Sequence, residues 1–124
     1  MTVAYWCVLI AAFLPIVFTG VAKFSGKGFN NHTPRAFQER LEGFRQRAHW
    51  AHLNSFEAFP PFAAAVIIAH QLQYAQARID QLAIAFIVLR LIYGALYIAD
   101  QASLRSVVWL GAVASWVAMF FIGR

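Results

Sequence analysis

Trp50, Asn54, Glu57 and Pro61 recur at offsets of four, three and four residues, so a helix here would carry them on one face. Arg90, Tyr93, Tyr97 and Asp100 recur at three, four and three and form a second such stripe. Arg105 follows soon after. Acids, amides, phenols and guanidiniums are conspicuous in a chain that is 61% hydrophobic and only 12% charged. An ionisable residue near the centre of a membrane span costs about 2.5–3.5 kcal/mol on the insertion scale, so it faces a partner or a wet cavity. One carboxylate set against Arg90 and Arg105 leaves positive charge over. A pocket so lined would welcome an anion.

Four apolar blocks would position these groups, at about residues 2–22, 48–72, 79–99 and 104–122. Each approaches the ~20 residues that cross a ~30 Å hydrocarbon core as a helix, and lipid offers backbone groups no other partners. The expectation is an all-α integral membrane protein, a four-helix bundle in one domain spanning residues 1–124. The first block reads as a retained helix, because it lacks a basic leader and its lysines, Lys23 and Lys27, come after it. The net charge of +5 is no nucleic-acid footprint. Lys23, Lys27, Arg35, Arg40, Arg45 and Arg47 crowd in or beside the 23–47 loop, which makes that loop cytoplasmic and puts both termini outside.

Within the loop, Thr33-Pro34 reads as a helix start. Phe37, Leu41 and Phe44 follow at helical spacing, and predict a short amphipathic helix that runs on into the second span. Asn31-His32-Thr33 matches a glycosylation sequon, which a cytoplasmic loop would never present. Cys7 stands alone in an apolar run and reads as lipid-facing or as packing. Gly20, Gly94 and Gly111 are candidate points of close helix approach.

Depth brings the two stripes together. Asn54 and Glu57 lie two to three turns inside the second block, and Tyr93 and Tyr97 at a similar depth in the third, with Arg90 one turn further in. Arg105 opens the fourth block on that side. Pro60 and Pro61 disturb the second helix just beyond Glu57 and splay the bundle there. A plainer account stays open, in which Glu57 and Arg90 form a structural ion pair and the tyrosines are interhelical or interfacial residues. His49 and His52 at i, i+3 have the spacing of a metal pair but no further ligands nearby, and read as polar residues at a helix start. A proton or ion path is a poor fit to so few charges.

Asn54-Ser55-Phe56-Glu57-Ala58-Phe59-Pro60, preceded by Arg47, resembles the N-x-x-E-x-x-P signature of helix 2 in the MAPEG family, the membrane-associated proteins in eicosanoid and glutathione metabolism. Arg90-Leu91-Ile92-Tyr93-Gly94-Ala95-Leu96-Tyr97, followed by Arg105-Ser106, is similar to that family's R-x-x-[H/Y]-x-x-x-Y…R pattern. The resemblance covers essentially the whole chain and is to a bacterial-type member, which places it in the inner membrane. It implies a homotrimer with glutathione, as co-substrate, bound between subunits near the cytoplasmic face. Asn54, Glu57, Arg90 and Tyr93 would then hold glutathione, with Lys23 or Arg47 on its carboxylates. Tyr97 and Arg105 would be the catalytic pair, Tyr97 donating a hydrogen bond to glutathione and Arg105 sitting near its sulfur, where a cation stabilises the reactive thiolate. A small lipophilic electrophile or lipid hydroperoxide would arrive through the bilayer. Trp50 and Leu53 depart from the pattern, standing where other members carry arginines. The alternative implied by the same resemblance is a lipid-binding or scaffold protein with a vestigial glutathione site.

Overall fold

Residues 1–123 are described by a computed structural model. They form α1 (Val3–Phe24), the short α2 (Pro34–Glu39), α3 (Gly43–Gln71), α4 (Gln76–Ile98) and α5 (Ala102–Ala118). Among the described residues there is no strand. α1 packs on α3 and α4, α4 also packs on α3 and α5, and α5 meets α3 only along a short stretch. Both termini and the 72–75 link share one end. There Asp80 of α4 accepts from the Ala4 amide at 2.9 Å, Thr2 meets His70 at 2.8 Å, and the Ala75 amide donates to Gly123. Asp80 thus puts a negative charge where the α1 dipole is positive.

The expected spans are only partly matched. α1 and α4, of 22 and 23 residues, are long and apolar enough to cross a membrane. α5 is apolar but has 17 residues, which at 1.5 Å each gives about 26 Å, short of the hydrocarbon thickness. α3 has 29 residues and starts at Gly43, well before the apolar block, so its first turns carry Arg45, Arg47, His49 and His52. The reason is local: Gly43 has φ +62°, a conformation that suits glycine, and ends the preceding turn so that a new helix begins at once. The loop helix therefore does not run into α3. It stops at Glu39, and Arg40–Glu42 break the chain between the two. Leu41 is buried, whereas Phe44 belongs to α3 and is 44% exposed.

The core is held by stacking and close approach. Phe62 of α3 and Phe86 of α4 stack with centroids 3.9 Å apart and planes 6° apart. Gly94 lets α4 pass against α1, because a Cβ there would overlap the Phe18 ring. Gly111 faces Leu89 across α4 and α5, but Gly20 meets nothing and plays no such part. Cys7 is buried and fills space.

The loop cations do more than mark a side. Arg45 donates from Nε to the Ala22 carbonyl and from Nη2 to the Lys23 carbonyl, both at 3.0 Å. Arg47 donates from Nε to the Ile98 carbonyl, also at 3.0 Å. Each satisfies orphan carbonyls at a helix C-terminus and complements its dipole. They tie the first turns of α3 to the ends of α1 and α4. Gln38 anchors α2 by donating to Thr19.

Candidate functional site

Pro60 and Pro61 sit inside α3. Neither has an N–H, so the carbonyls of Phe56 and Glu57 lose their intrahelical donors. The helix is weakened one turn beyond the polar stripe, on the side where α5 touches α3 only briefly. Space opens there.

Arg90 is the organising group. It is 1% exposed, and its Nη2 donates to Asn54 Oδ1 at 2.9 Å and to Ser55 Oγ at 3.4 Å. Ser55 in turn donates to the Ala51 carbonyl at 2.8 Å. The Asn54 amide donates onward to Glu57 Oε2 at 3.4 Å. Glu57 and Arg90 are thus joined through Asn54, and the structural ion pair between them gives way to a relay. A buried guanidinium without acceptors is expensive, and the fixed amide and hydroxyl supply them. The face of the Arg90 guanidinium lies 4.2 Å from the Tyr93 ring centroid.

From Tyr93 the line continues outward. Tyr93 and Tyr97 meet edge to face at 5.7 Å, and the Arg105 guanidinium covers the Tyr97 ring at 4.2 Å. Such cation–π contacts hold each arginine against a phenol without consuming its N–H donors. Asn54, Glu57, Arg90, Tyr93, Tyr97 and Arg105 therefore come together within one chain. Lys23 and Arg47 do not join them. Lys23 sits over Phe29 at 5.1 Å, and Arg47 has its Nε committed to the end of α4.

Two hollows meet at this line. One is an open groove lined by Trp50, Leu53, Asn54, Glu57, Tyr93 and Tyr97. The other lies between α3, α4 and α5, has a volume of about 170 Å³, and shares Asn54 and Glu57 with the groove. Its far wall brings in Phe86, Trp109, Ala112 and Trp116, which the reading of polar stripes passed over. The seven-residue spacing of Trp109 and Trp116 was the available signal, since it puts both on one helix face. Ser55 was hidden by its own ordinariness. His49 and His52 lie apart from all this, with ring centroids 5.7 Å from each other.

The MAPEG family model matches residues 3–123, nearly the whole chain. The chain belongs to the MAPEG family. Comparison with curated proteins and with solved structures finds no match. Membership makes this a membrane protein of a family concerned with glutathione-related transfer and peroxidase chemistry, which agrees with the two helices able to span a bilayer. Of the residues that carried the resemblance, Asn54, Glu57, Arg90, Tyr93 and Tyr97 line the two hollows of this MAPEG chain.

Proposed function

We propose that this protein binds glutathione in the open groove and uses its thiolate against small lipophilic electrophiles or lipid hydroperoxides. One observation carries the reading. A carboxylate, Glu57, and a cation, Arg105, bracket a floor of two phenols, which suits a ligand with an ammonium at one end and anionic groups at the other. Glu57 takes the glutathione amine, Asn54 its peptide, and Tyr93 and Tyr97 donate to its carbonyls or sulfur. Arg105 stabilises the thiolate, the species that attacks. With an alkyl or aryl electrophile, sulfur bonds to carbon as the leaving group departs with its electron pair. With a hydroperoxide, sulfur takes the distal oxygen and releases the alcohol, and a second glutathione converts the sulfenic acid to disulfide and water.

The proposed assembly is a homotrimer of four-span subunits in the bacterial inner membrane, with the 23–47 loop cytoplasmic and both termini outside. In a single chain Glu57 is exposed, on a helix face shared with Leu53 and Phe56, which are 44% and 55% exposed. A bare carboxylate on an apolar face is costly in lipid, and a neighbouring subunit would cover it. Lys23 and Arg47, which line neither hollow within one chain, are proposed to meet the glutathione carboxylates across that boundary.

A second reading has its own observation. Trp50 and Leu53 put apolar surface into the groove, and a lipid-binding, non-catalytic role would use it. Heat denaturation of the detergent-purified protein separates the two. Millimolar glutathione raises the melting temperature of an enzyme of this kind and produces an ultraviolet thiolate band that Arg105→Ala removes. An unchanged melt with retained lipid, seen by native mass spectrometry, supports the second reading instead.

A further inference from the structure

A third hollow, a cleft of about 550 Å³, lies where the loop helix α2 faces the first turns of α3. Arg35 and Glu39 of α2 line it, with Gln46 and His49 of α3. It shares Trp50 and Leu53 with the open groove, so the two run into one another. Most loop cations near it are already engaged. Arg45 and Arg47 donate to carbonyls at helix ends, Arg40 donates from Nε to the Ala36 carbonyl at 3.1 Å, and Lys23 rests over Phe29. Arg35 is exposed and has no hydrogen bond or ion pair among the described residues. It is the arginine in the lining of the cleft, and a guanidinium offers a fork of donors matched to a carboxylate.

Length decides what reaches it. An extended tripeptide spans about 10–11 Å at 3.3–3.6 Å per residue, and the γ-linkage of glutathione adds a little. Trp50 and His49 precede Glu57 by seven and eight residues, which is about 10–12 Å along a helix that rises 1.5 Å per residue. A glutathione whose amine sits at Glu57 therefore brings its glycine end level with Trp50 and His49, at the mouth of the cleft. The Trp50 and Tyr97 ring centroids are 6.3 Å apart, so the thiol, part-way along, stays beside Tyr97 and Arg105. We propose that Arg35 of α2 holds the glycine carboxylate and is the residue that selects for it, an inference that rests on the glutathione reading. Trp50 and Leu53 supply no charge at this level, and the contact comes instead from the loop helix. Gln46 adds amide donors. Glu39 lines the same cleft and opposes the anion, but it is exposed and remains hydrated. The γ-glutamyl carboxylate is left to Lys23 or Arg47 of a neighbouring subunit.

The test compares glutathione with its glycine amide, which keeps the thiol and the γ-glutamyl group but loses the terminal charge. Both are titrated by calorimetry into the detergent-purified protein. The unmodified protein is expected to bind the amide about tenfold more weakly, the worth of one charge-assisted contact. In Arg35→Ala, glutathione falls to the affinity of the amide while the amide itself is unaffected, and the unliganded melt is unchanged because Arg35 is exposed. Arg35→Lys recovers part of the preference, since it restores the charge without the fork. Glu39→Gln tightens glutathione and leaves the amide alone. Equal affinity for the two ligands in the unmodified protein overturns the proposal, as does an Arg35→Ala variant that weakens both ligands alike or neither. Those outcomes leave the glutathione reading standing. Absence of binding by either ligand removes that reading and this one together.

Discussion

Removing the Asn54 amide tests how much of the fold hangs on one buried cation. Asn54→Ala deletes the 2.9 Å acceptor of Arg90 and leaves it the Ser55 hydroxyl at 3.4 Å. Arg90 is 1% exposed, so water cannot readily replace the lost partner. A hydrogen bond to a charged group contributes about 1.5–3 kcal/mol, and the penalty for stranding a buried charge lies at or above that range. The Asn54–Glu57 bond is long at 3.4 Å and exposed, so its loss adds little. The single substitution should therefore destabilise by about 2–3 kcal/mol. Arg90→Met removes the charge along with the need for acceptors, and an apolar replacement of a satisfied buried pair is often close to neutral. The double variant Asn54→Ala/Arg90→Met is then expected to be more stable than Asn54→Ala alone. Unfolding in a graded detergent–denaturant series reads all four corners of the cycle, with a coupling of about 1.5–3 kcal/mol. Additive costs, within the usual few tenths, would refute the claim that Asn54 is there to satisfy Arg90.

Gly94→Ala is predicted to cost about 1–3 kcal/mol, because the new methyl overlaps Phe18; Phe18→Leu in the same chain should recover much of the loss in thermal melting. Glu57→Gln is expected to weaken glutathione binding about tenfold by calorimetry, the worth of one charge-assisted contact, with the unliganded melt unchanged because Glu57 is exposed. Arg47→Ala should cost about 1 kcal/mol through the lost cap on the Ile98 carbonyl. If Arg47 also reaches a neighbour's glutathione, affinity falls with it; an unchanged affinity returns Arg47 to capping alone.

The polar stripes were legible because helical spacing is rigid: offsets of three and four put Asn54 with Glu57 and Arg90 with Tyr93 and Tyr97 whatever the helices pack against. Which atoms meet was not. The sequence suggests a direct pair between Glu57 and Arg90, since opposite charges in lipid attract, but it says nothing of the amide that intervenes. Arg45 and Arg47 read as charges marking a side of the membrane, whereas their partners are carbonyls more than twenty and fifty residues away, beyond any local pattern. The α3 start at Gly43 was hidden because hydropathy finds where a helix enters lipid rather than where it begins. The cavity escaped for a different reason. It is walled by Pro61, Ala112 and two tryptophans rather than by charged groups, and such walls leave a faint trace in a sequence read for its polar residues.

The carboxamide and acid of α3, the phenols of α4 and the guanidinium at the start of α5 are proposed to form one glutathione site. Calorimetric titration of glutathione into detergent-purified protein, run beside Arg105→Ala, addresses it most directly. Saturable binding is expected, with an ultraviolet thiolate band in the parent protein that the variant lacks. Absence of binding heat at millimolar glutathione, with a folded and monodisperse sample, would contradict it.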